Sequence, residues 1–104
     1  MRRGTTPTHT FNLDGTFDTD KITLLNLAYS QEGNIILEKS LKDCVIEPKK
    51  IIVNLTEDDT LLFKNKDALI EIQMRIGIGE ERYASNIFRV KVEKLLKDGD
   101  LDGN

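Results

Sequence analysis

Apolar and polar residues alternate with a period of two along most of this chain. From Pro7 to Leu13, His9, Phe11 and Leu13 fall on one side of an extended backbone, and Thr8, Thr10 and Asn12 fall on the other. Side chains alternate across a strand in this way, whereas a helix repeats every 3.6 residues. Threonine tolerates the pleat because its branched Cβ is stiff there. Pro7 lacks an amide donor and belongs at the start of the strand or on an edge.

The same rhythm predicts further strands. Residues 22–30 place Leu25, Leu27 and Tyr29 on one face and Leu24, Asn26 and Ala28 on the other. Gly33-Asn34 within "QEGN" marks a hairpin leading into a third strand over 35–41. A short fourth strand lies within 42–47. "PKK" is a turn, and a fifth strand over 51–56 sets Ile51, Val53 and Leu55 together. The clearest strand covers 68–78, with Ile70, Ile72, Met74 and Ile76 opposite Glu71, Gln73 and Arg75. Residues 79–85 are expected as a loop. A last strand over 86–96 sends Phe88, Val90 and Val92 inward and Arg89, Lys91 and Glu93 outward.

Two stretches break the alternation. "DGTFDTDK" (14–21) is turn material, with Asp18 placed to begin a short helical turn. "TEDDTLLF" (56–63) predicts one turn of helix. Thr56 would cap it, and Glu57, Asp58 and Asp59 occupy the first turn, where the helix dipole favours acids. Thr56 and Asp59 have capping-box spacing. This turn would carry Leu61, Leu62 and Phe63 over the end of the core.

About seven short strands with frequent turns predict an all-β fold. The expected architecture is an Ig-like antiparallel β-sandwich forming a single domain over residues 1–104, with a small barrel as the alternative. The tryptophan of antibody-type domains is absent. Residues 1–4 would form a basic N-terminal arm, and 98–104 a frayed polar tail.

Composition narrows the function classes. The 104 residues fit one domain. The charged fraction of 32% is mixed in sign, and the net charge of −3 gives no global field for nucleic acid. No run approaches the ~18 apolar residues of a membrane span, and the basic start lacks the apolar core of a signal peptide. Neither nucleic acid nor a membrane is therefore an expected partner.

Candidate chemistry is sparse. Cys44 is the one cysteine. Acids at Asp43 and Glu47 argue against a reactive thiolate, so it reads as a half-buried strand residue. His9, the single histidine, reads as a packed residue beside Phe11. Asp98, Asp100, Asp102 and Gly103 match positions 1, 3, 5 and 6 of a calcium loop, but the chain stops before the remaining ligands. Gly77-Ile78-Gly79 lacks the third glycine and helix of a dinucleotide fingerprint. The expectation is no catalytic residue, no metal and no cofactor.

Three stretches carry a family resemblance. "RRGTTPTHTFNL" opens the chain. "LEKSLKDCVI" is followed by "IIVNLTEDDTLLF", and then comes "EIQMRIGIGEERYASNIFRVKVEKLLKDG". Together they resemble small proteins encoded in the structural gene block of tailed phages and prophages of Gram-positive bacteria. Their pattern is similar to the N-terminal β-domain of baseplate upper proteins. The matching positions are Arg2 to Pro7, Thr56 to Phe63, Glu71 to Arg75, Ala84 to Ile87 and Leu96 to Gly99. The resemblance implies a non-enzymatic virion component of the tail or baseplate, present in the host cytoplasm during assembly. Its partners would be other phage structural proteins, and it could form homo-oligomers. Arg2, Arg3 and Thr5 of the arm, with Tyr83 in the expected loop, are the candidate partner contacts. Losing the arm should then weaken assembly and leave the fold intact. The alternative is a stand-alone Ig-like domain that recognises a cell-surface glycan or protein. With aromatics at 6% and no tryptophan, only Tyr83 offers a platform for a sugar ring.

Overall fold

The structure is a computed structural model and describes residues 1–13 and 18–96. The expected Asp14-Gly15 turn and the calcium-loop-like tail lie outside the described residues.

Among the described residues, eight strands and one short helix follow one another. They are β1 (Thr8–Asn12), β2 (Leu24–Gln31), β3 (Asn34–Ser40), β4 (Cys44–Glu47), β5 (Lys50–Asn54), α1 (Glu57–Leu61), β6 (Ala68–Ile78), β7 (Glu81–Ala84) and β8 (Phe88–Val92). Sheet one has the order β1-β5-β4. Sheet two has the order β3-β2-β6, and β7 and β8 pair with opposite halves of β6. Every pairing is antiparallel. The chain is an all-β sandwich.

The period-two pattern works because each sheet buries one face and shows the other to water. Leu25, Leu27 and Tyr29 of β2 meet Ile70, Ile72, Met74 and Ile76 of β6 in one buried cluster. Phe11 of β1 and Ile51 and Val53 of β5 join it from the opposite sheet. Fully burying one such side chain contributes about 1.5–3 kcal/mol. Aromatic contacts cross between the sheets: Phe11 lies on Phe88 with ring centroids 5.3 Å apart.

Tight turns set the register. Gln31 pairs with Asn34, so the β2–β3 loop is Glu32-Gly33, both in the left-handed region. Glu47 pairs with Lys50 around Pro48-Lys49, where Lys49 has φ 61°. That is the backbone of a type II turn, with proline first and a left-handed residue second. In β3 the register shifts opposite Tyr29 and Ser30, leaving Ile36 as the extra residue of a bulge.

The structure differs from the sequence reading in three places. Residues 79–85 are not simply a loop, because Glu81–Ala84 form β7 and pair with Arg75–Ile78. Gly79, at φ 60°, heads a two-residue turn that needs a left-handed first residue. All four residues of β7 are exposed, so they carry no apolar alternation to reveal the strand. The last strand is shorter than 86–96, ending at Val92. Finally, α1 turns Thr60 and Phe63 into the core, three residues apart on one helical face, and leaves Leu62 exposed.

The predicted cap of α1 is present. The Asp59 amide donates to Thr56 Oγ1 at 3.1 Å, and the Thr56 amide donates to Asp59 Oδ2 at 2.9 Å. A 3-10 turn over Thr19–Lys21 begins after Asp18, as expected. A second one, over Leu41–Asp43, separates β3 from β4.

Candidate functional site

The N-terminal arm lies on its own chain. The Met1 nitrogen donates to the Lys91 carbonyl at 2.8 Å, and the Glu93 amide donates to the Met1 carbonyl at 2.7 Å. Met1 thus adds one rung, parallel in its hydrogen-bond pattern, to the outer edge of β8. Arg2 holds the same end. Its Nη1 donates to the Lys94 carbonyl at 2.7 Å, and its Nη2 lies 3.1 Å from the Glu93 carboxylate. Arg3 turns the other way and donates from Nη2 to the Leu61 carbonyl at 2.7 Å. That carbonyl ends α1, where backbone acceptors lack helical partners and a cation is favoured. Thr5 Oγ1 donates to the Arg2 carbonyl, and the buried Thr60 Oγ1 donates to the Thr5 carbonyl at 2.8 Å.

The bonds named here for Arg2, Arg3 and Thr5 run within the chain, Arg2 at the end of β8 and Arg3 at the end of α1. Tyr83 is remote from them. It sits on β7, 38% exposed, with its hydroxyl on the Glu81 carboxylate. That hydrogen bond holds the phenol above its ordinary pKa. Tyr83 borders two shallow grooves. One contains Leu24, Arg75 and Arg82, and the other contains Asn12, Leu13 and Phe88. Gly77 keeps the first one open: a Cβ there would meet Leu24 Cβ at 3.0 Å and Arg82 Nη1 at 3.1 Å.

A polar set spans the sheets beneath β1. His9 Nδ1 lies 2.8 Å from the Tyr29 hydroxyl. Burial pushes the Tyr29 phenol well above its usual pKa, so it keeps its proton. Burial, with the Met1 ammonium adding to it, holds His9 below 6.5. A neutral imidazole can then accept the phenol's hydrogen bond on Nδ1. Close by, Lys39 Nζ lies 2.8 Å from Asp59 Oδ2, with both side chains largely buried. Burial alone would raise the Asp59 pKa. The Lys39 ammonium and the Thr56 amide outweigh it and hold the carboxyl below its ordinary value. Burial and then Asp43 raise the Cys44 thiol, which makes it a poor nucleophile at neutral pH. The Lys39–Asp59 pair escaped the sequence reading, which saw in Asp59 only a first-turn acid with capping-box spacing to Thr56. Its partners are 20 residues apart, and only the fold joins them.

Among the described residues, no three of His, Cys, Asp and Glu come together as metal ligands. No helix among them is long and apolar enough to cross a membrane.

Open ground also lies along the strand edges. β1 borders sheet one, β8 borders sheet two, and both line one groove of about 410 Å³. Phe11, Ile72, Phe88 and Val90 line it beside His9, Thr10 and Arg89. On the outer face of sheet two, Ile35 and Ile87 flank a smaller groove over Ala28, Ser30 and Gln73. Leu24 and Leu69, on outward positions of the same sheet, are more than half exposed. No protein family, curated protein or solved structure matched this chain in comparison.

Proposed function

We propose that this chain is a non-enzymatic assembly module that works through protein–protein contacts. One observation carries the reading: the borders of the two sheets meet in a seam between β1 and β8, where Phe88 and Val90 lie beside Thr8, Thr10, Asn12 and Arg89. Strand edges present unpaired amides and carbonyls, and an extended partner segment can add to them. The stretches quoted above, from Arg2 to Gly99, support placing this module in the tail or baseplate of a phage or prophage particle. It would pass through the host cytoplasm during assembly. Among the described residues, the glycan-binding alternative rests on Tyr83, an exposed ring whose hydroxyl is already engaged by Glu81.

The test is co-expression with the products of the neighbouring genes. A stable complex that survives purification is the expected result. A chain that binds none of them would defeat the reading. Glycan binding that disappears in Tyr83→Ala would favour the alternative.

A further inference from the structure

We infer that β1 is a self-association edge, and that a second copy of this chain pairs with it antiparallel about a twofold axis at Thr10. This rests on the assembly reading and names a partner for the same seam.

The other strand borders are guarded. β3 carries a bulge at Ile36, and its Lys39 points inward onto Asp59. Both are devices that discourage edge pairing. β4 is four residues long, and the Thr19 hydroxyl donates to the carbonyl of its last residue, Glu47. β7 is also four residues long and includes Glu81 and Arg82. β8 includes Arg89 and Lys91, and Met1 occupies one end of its edge. Two copies of β8 would bring like charges together.

Among the described residues, β1 carries none of these devices beyond Pro7 at its start. "THTFN" contains no lysine, arginine or acid. Pro7 and Leu13 bond β5 through the Pro7 carbonyl and the Leu13 amide. By strand alternation His9 and Phe11 also turn their amides and carbonyls to β5. Thr8, Thr10 and Asn12 therefore turn theirs to the open side. An axis at Thr10 pairs the two Thr10 residues with each other, and Thr8 of each copy with Asn12 of the other. Facing threonines form favourable cross-strand pairs, and no like charges meet. The inward side chains fit as well. His9 of each copy falls opposite Phe11 of the other, inside the groove walled by Phe88 and Val90. Sheet one would then run through both copies as six strands.

Sedimentation equilibrium of the purified chain over a range of concentrations tests the inference. A monomer–dimer equilibrium is expected. Thr10→Lys places two ammonium groups at the axis and should weaken the dimer about tenfold, roughly 1.4 kcal/mol. Thr10→Pro should do the same by deleting the outward amide, which takes no part in β1–β5 pairing. Ile35→Lys, on the β3 side, should leave the dimer unchanged. Circular dichroism of each variant verifies the fold, and Thr10→Lys remains the deciding variant if the proline variant unfolds. A chain that stays monomeric at every concentration overturns the inference, as does a dimer indifferent to Thr10→Lys. Capture of neighbouring gene products by a monomeric chain would leave the assembly reading standing and remove only the self-pairing.

Discussion

Asp59 shows how much one side chain can hold together. It caps α1 through Thr56 and receives Lys39 from β3. Asp59→Ala should lower stability by about 2–3 kcal/mol, since it removes a cap and strands a largely buried ammonium. Urea unfolding measures this, and a double cycle with Lys39→Met separates the cap from the pair. Because the folded carboxyl titrates below 3.8, its contribution is full above that value. It is lost as the pH falls through the folded pKa.

His9 acts in the same direction at higher pH. Its folded pKa lies below 6.5, so the unfolded chain takes up the proton first. Stability should hold above about pH 6.5 and decline as the pH drops towards the folded value. Urea midpoints between neutral and mildly acidic pH would show the slope, and His9→Gln should flatten it. Tyr29, whose hydroxyl faces this histidine, stays protonated and adds no titration in that window.

At the scale of elements, the arm belongs to the sandwich. Met1 extends the edge of β8, Arg2 ties down the chain after it, and Arg3 closes the end of α1. Removing residues 1–4 should therefore lower stability by about 2 kcal/mol, a few hydrogen bonds at roughly 1 kcal/mol each. Chemical denaturation measures the loss, and faster hydrogen exchange at the Glu93 amide would place it. A truncated chain as stable as the full one would mean that these contacts contribute nothing. The same result bears on assembly, because a weaker complex from the truncated chain can come from a loosened β8 edge.

Hairpins with apolar alternation were legible in the sequence, and β7 was not. Two-residue periodicity registers only where one face is buried, and all four residues of β7 are exposed. What formed it was the turn at Gly79 and the free border of β6 beyond β8. The sequence reads Tyr83 as exposed because residues 79–85 are expected to be a loop; it is exposed, but in a strand.

At the scale of the whole molecule, the two sheets share one core. Tyr29 of sheet two touches His9 of sheet one and packs against Phe63, just beyond α1. Neither sheet can keep its buried face without the other, so unfolding should be a single transition. Far-ultraviolet circular dichroism and tyrosine fluorescence should give coincident urea curves. Separate midpoints would show that one sheet survives alone.

The strands of the core, their inward faces and the cap of α1 could be read from the chain itself. Each depends on neighbours within a few residues, where the alternation of side chains and the reach of a threonine hydroxyl are fixed by the backbone. Where the arm docks, which carboxylate meets Lys39, and which strand border stays open were decided only by the tertiary structure. Those contacts join residues 20 to 92 positions apart, and their geometry comes into being only when the two sheets close on one another.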